Sequence, residues 1–190
     1  MQLQDQQDLL ARLYTDNTFR SDLLRTPSRF AKDIGISPEE AAALASVAAG
    51  EVEWFAESLV SKRLREVRKL LPMTGKVMGS NEFDRRFREF SGVSSPTGVK
   101  KHLEDSLAFS EALVNDESVA DSQRGIVRFE GSRLRHNAFN KRFSFCLLRI
   151  DPRRITEIAD NEIPPGIGIW IAIGGWSRIF FRADRKRADG

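Results

Sequence analysis

The spacing of apolar residues changes once along this chain, and that change restricts the fold more than any other feature. From Leu3 to Val114 apolar residues recur at intervals of three and four, the period of a helix face. Beyond residue 124 they recur at every second position, the period of a strand. The 190 residues are therefore predicted to form an α+β protein: an all-helical bundle over 1–114, a linker over 115–123, and a small antiparallel β-rich domain with one short helix over 124–190.

The helical part is punctuated by local signals. Leu3, Leu9, Leu10, Leu13 and Tyr14 give an amphipathic first helix. Asp16-Asn17 caps a second, carrying Phe19, Leu23 and Leu24 and closed by Pro27. Phe30 and Ile34 make a further turn that Gly35 stops. Ser37-Pro38-Glu39-Glu40 is a capping box with proline at the first helical position, followed by an alanine-rich run to Ala49. A long amphipathic helix starts near Glu51 and ends before Pro72, with Lys62, Arg63, Arg65, Arg68 and Lys69 on its polar face. A short helix from Pro72 to Val77, stopped by Gly79, precedes one with Phe83, Phe87 and Phe90 on its core side. The loop Ser94–Gly98 leads to a last helix through Val114, and the polar stretch Asn115–Gln123 is the expected linker.

In the C-terminal part, Ile126, Arg128 and Glu130 alternate with Val127 and Phe129 as a short strand turning at Gly131-Ser132. Phe143–Ile150 reads as a buried strand, and Asp151-Pro152 caps a short helix through Ile158. Ile167, Ile169, Ile171 and Ile173 alternate with Gly168, Trp170 and Ala172, Gly174-Gly175 turns, and Trp176–Phe181 returns: a hairpin. Both faces of its first arm are apolar, so each is expected to be covered, by the short helix or by the helical domain.

Sites of familiar chemistry are sparse. His102 and His136 lie in different predicted domains, and His102 with Glu104 and Asp105 is better explained by a helix start than by a metal. Cys146, the only cysteine, sits in an apolar strand that disfavours a thiolate and excludes an internal disulfide. Gly166-Ile167-Gly168 precedes a strand rather than following one, the wrong context for a dinucleotide loop. No catalytic residues, cofactor or metal are expected. The apolar stretch Ile163–Ile173 is too short and too interrupted to cross a bilayer, and the start has no signal-peptide pattern, so a cytoplasmic protein is expected.

Charge supplies the positive indication. Residues 1–119 hold 16 Lys/Arg against 19 Asp/Glu, and residues 120–190 hold 14 against 8. A basic, strand-rich module suits capture of a peptide or protein partner along a sheet, with Arg128, Arg133, Arg135 and Arg149 at hand to select acidic groups. The alternative is a DNA-binding transcriptional regulator, with Arg124, Lys141, Arg142, Arg153 and Arg154 on phosphates.

The segment Phe55–Pro72, ending Leu70-Leu71-Pro72, then Gly79, then Phe83-Asp84-Arg85-Arg86-Phe87-Arg88-Glu89-Phe90, then His102–Leu113, resembles a bacterial family named for a DNA-binding domain. Its members include partner proteins of multinuclear non-haem iron oxidases in ribosomal-peptide modification, the methanobactin-type recognition subunits. The resemblance covers Ile36 to Val114. It implies a helical domain followed by a small C-terminal one, and a non-catalytic recognition or scaffold role beside an iron-dependent oxidase that itself holds the metal.

Overall fold

A computed structural model describes residues 3–47, 53–94, 96, 100–156 and 166–183. The chain packs as two compact units, one of residues 1–64 with 88–95, the other of residues 65–87 with 96–190. The helices Glu53–Leu70 (α5) and Ser80–Val93 (α7) each contribute to both. Among the described residues no helix is long and apolar enough to cross a membrane.

In the first unit, α1 (Leu3–Thr15), α2 (Asn17–Arg25), α3 (Pro27–Ile34) and α4 (Pro38–Val47) follow one another with minimal connections. Each boundary has a local cause. The Asp16 carboxylate accepts from the Phe19 amide at 2.9 Å, capping α2. Gly35 takes φ +70°, the left-handed conformation that ends α3. The capping box closes in both directions, the Glu40 amide donating to Ser37 Oγ at 3.1 Å and the Ser37 amide to Glu40 Oε2 at 2.8 Å. Leu9, Leu13, Phe19 and Leu23 form the core, with Tyr14, Leu24 and Leu44 against it. Gly50 and the start of the long helix near Glu51 lie outside the described residues.

The second unit holds α6 (Pro72–Met78), α8 (Lys101–Asn115), α9 (Asp121–Ala138) and a three-stranded antiparallel sheet of β1 (Phe143–Leu148), β2 (Gly166–Ile173) and β3 (Trp176–Ala183), with β2 in the centre. Two of the three phenylalanines of the stripe are core as expected, with Phe90 half-buried: Phe83 and Phe87 are fully buried, and each ring meets Phe109 edge-on at 5.4 and 5.2 Å. Leu147 pairs with Ile169, and Ile169 with Phe180, which sets the register of the whole sheet.

Three expectations are corrected here. Ile126–Glu130 is not a strand; it lies inside the 18-residue helix α9. Ile126, Phe129 and Glu130 are buried together at helical spacing, and Gly131 lets α9 approach α8 so closely that a Cβ there would lie 2.7 Å from Ser110 Oγ. The expected linker is only the short connection 116–120, since Asn115 ends α8 and Asp121 already opens α9, and both helices belong to the second unit. β1 is not buried on both sides: Cys146 and Leu148 face inward, while Phe143, Phe145 and Leu147 are exposed. The short helix after Asp151 is 3-10, Pro152–Thr156, and its expected continuation to Ile158 lies outside the described residues.

Candidate functional site

The two faces of the sheet differ sharply. On the inner face, Cys146, Leu148, Trp170 and Ala172 pack on Phe129 of α9, and the Trp170 and Phe129 rings meet at 5.7 Å in a T-shaped contact. Gly168 belongs to this face because the Phe181 ring lies across it; a Cβ at Gly168 would collide with that ring and with the Phe180 carbonyl. His136, at the end of α9, joins helix to sheet. Its Nε2 lies 2.8 Å from the Gly174 carbonyl, which only accepts, so Nε2 donates there, and Nδ1 lies in hydrogen-bond contact with the Ser144 hydroxyl at 3.0 Å.

The outer face is apolar and open. Strand alternation and register line up Phe143, Ile173 and Trp176 in one row, then Phe145, Ile171 and Arg178, then Leu147, Ile169 and Phe180, then Ile167 and Arg182. Ile167 is 80 % exposed and Leu147 67 %, against 2 % for Trp170 on the opposite face. At one end of this face is a shallow concavity of about 700 Å³ lined by Leu147, Ile167, Ile169 and Phe180. Arg178, Arg182 and Arg153 also line it. The three strands carry two arginines and no carboxylate.

The basic residues singled out from the sequence are scattered. Arg124, Arg128, Arg133 and Arg135 stand on α9, which packs on the inner face. Arg124 is paired with Asp121, Arg133 lies 3.9 Å from Glu130, and Arg135 3.9 Å from Glu111. Arg153 forms a bidentate pair with Asp151 at 2.9 and 2.7 Å, which holds the Asp151 carboxyl below its ordinary range. Arg128 and Arg149 share the field of Asp121 with Arg124. Lys141, Arg142, Arg149 and Arg154 are exposed. Of these basic residues, Arg153 lines the concavity of the open face, and Arg149 follows β1 directly in the chain. The sequence reasoning missed Arg178 and Arg182, although their positions on the alternating return strand were a usable signal.

The other candidates are structural in setting. Cys146 is buried, and burial pushes its thiol up. His102 is exposed on α8, whereas Asp105 is turned into the interior. Among the described residues no three His, Cys, Asp or Glu side chains converge as metal ligands.

No protein-family model and no curated protein matches this chain.

Proposed function

We propose that this chain is a non-catalytic recognition or scaffold protein that holds a peptide or a partner protein on its C-terminal sheet. The observation that carries the reading is the open outer face, a continuous apolar surface where a water-facing sheet ordinarily alternates to polar residues. Fully burying side chains such as Phe145, Leu147 and Ile167 against a partner is worth about 1.5–3 kcal/mol each before the costs of association. The strand edge of β3 adds main-chain donors and acceptors beside that face. An iron-dependent peptide-modifying oxidase is the partner class suggested by the family resemblance.

A photo-crosslinking residue placed at Phe145, compared with one at the exposed Asn137 of α9, tests the reading in the native host. The expected result is a discrete protein or peptide adduct at Phe145 alone. Adducts of equal yield at both positions, or none at either, contradict it. Retention of duplex DNA on a filter, falling steeply with salt, would transfer the role to the alternative, a DNA-binding regulator.

A further inference from the structure

Resting on that recognition reading, we infer that the occupant of the outer sheet face is one amphipathic α-helix of a partner protein, with carboxylates flanking its apolar stripe. Three observations lead there. The first is size. Three strands spaced about 4.8 Å apart offer a width of about 10 Å, the diameter of one helix. The inner face of the same sheet packs on Phe129 of the helix α9, with Met73 of α6 beside it. From the row of Ile173 to that of Ile167 is six residues of strand, about 20 Å, which a helix of about 13 residues spans. An added strand would satisfy an edge and leave the apolar face in water.

The second is charge. The strands present Arg178 and Arg182 without a carboxylate, and exposed Arg153 stands at the same end. Arg153 is already bound by Asp151, whereas neither Arg178 nor Arg182 forms an ion pair among the described residues. Glutamates or aspartates beside an apolar stripe would meet both cations at the rim of the contact. A second copy of this chain would offer these arginines no carboxylate from its own sheet, since the three strands carry none.

The third is shape. Arg178 and Arg182 line a concavity together with Leu147, Ile167, Ile169 and Phe180. A helix ridge fills a concavity, whereas a flat bilayer surface does not. Together these select a helix with leucine-like residues at i, i+3, i+4 and i+7 and acidic neighbours.

The test uses the full chain and two labelled 14-residue helical peptides of one leucine pattern, flanked by glutamates in one and lysines in the other, read by fluorescence anisotropy. The glutamate peptide is expected to bind at least ten-fold tighter than its lysine twin, and Leu147→Asp is expected to abolish binding. Arg178→Glu with Arg182→Glu is expected to invert the preference, an outcome that misfolding does not produce. Equal affinity for the two peptides, or no binding of the glutamate peptide, overturns the inference. So does a dimer in sedimentation that Leu147→Asp breaks, or saturable binding to phosphatidylserine vesicles that the glutamate peptide fails to displace. If the peptide fails while the Phe145 crosslinker still captures a partner, the helix is wrong and the recognition reading stands; if both fail, both fall.

Discussion

Glu130 has no exposed surface, yet both of its oxygens are engaged: Oε1 accepts from the Met73 amide at 3.0 Å, and Oε2 from the Thr74 amide and hydroxyl at 2.8 and 2.9 Å. Burial pushes its carboxyl up, while those hydrogen bonds draw it back down. The residue fastens the start of α6 to α9. Glu130→Gln replaces one accepting oxygen with a donor facing a buried donor, so a stability loss of about 1–3 kcal/mol is expected in urea denaturation. Glu82 illustrates the opposite setting. Arg85 and Arg86 hydrogen-bond it at the surface and hold it down to about 2 from an ordinary 4.5. A carboxyl lowered by folding contributes stability that is complete above its unfolded value and is lost as pH falls toward the folded one. The melting temperature is therefore expected to decline between about pH 4.5 and about 2, and Glu82→Gln is expected to show a shallower decline over that window. An unchanged acid limb would show that the pair contributes nothing measurable.

At the scale of elements, the boundaries read correctly from sequence are those decided within four residues of chain. The capping box at Ser37, the left-handed Gly35 and the Gly174-Gly175 turn each carry their own cause, and each stands where expected. Ser37→Ala removes one side-chain cap and is expected to cost about 0.5–2 kcal/mol, with faster hydrogen exchange at the Glu40 amide. α9 reads as a strand from sequence because Gly131 imitates a turn residue and Ile126, Arg128 and Glu130 happen to alternate with Val127 and Phe129. What makes Gly131 a helix residue is Ser110, on another helix and 21 positions away, which no local pattern reveals. Gly131→Ala gains up to about 1 kcal/mol of helix propensity but forces a Cβ onto a buried hydroxyl. A net loss of about 1–2 kcal/mol in denaturant melts is expected, because overpacking exceeds propensity. The same limit hid the candidate site. That β2 is apolar on both sides was legible; which side another element covers depends on tertiary contacts, and α9 took the inner one.

For the molecule as a whole, the positive charges of the C-terminal part do not form one basic patch among the described residues. Arg124, Arg133, Arg135 and Arg153 answer carboxylates of the chain itself, while Arg178 and Arg182 border an apolar surface. Apolar area, more than net charge, is therefore what a partner would find on this sheet. Because Leu147 is already in water, a charge there subtracts little from the fold while it disrupts anything seated on the face. Affinity purification from the native host, run in parallel on the wild-type chain and on Leu147→Asp, tests this most directly. A protein or peptide that accompanies the wild type and is missing from an equally stable variant is the predicted result. The same companions in equal amounts with both chains would contradict it.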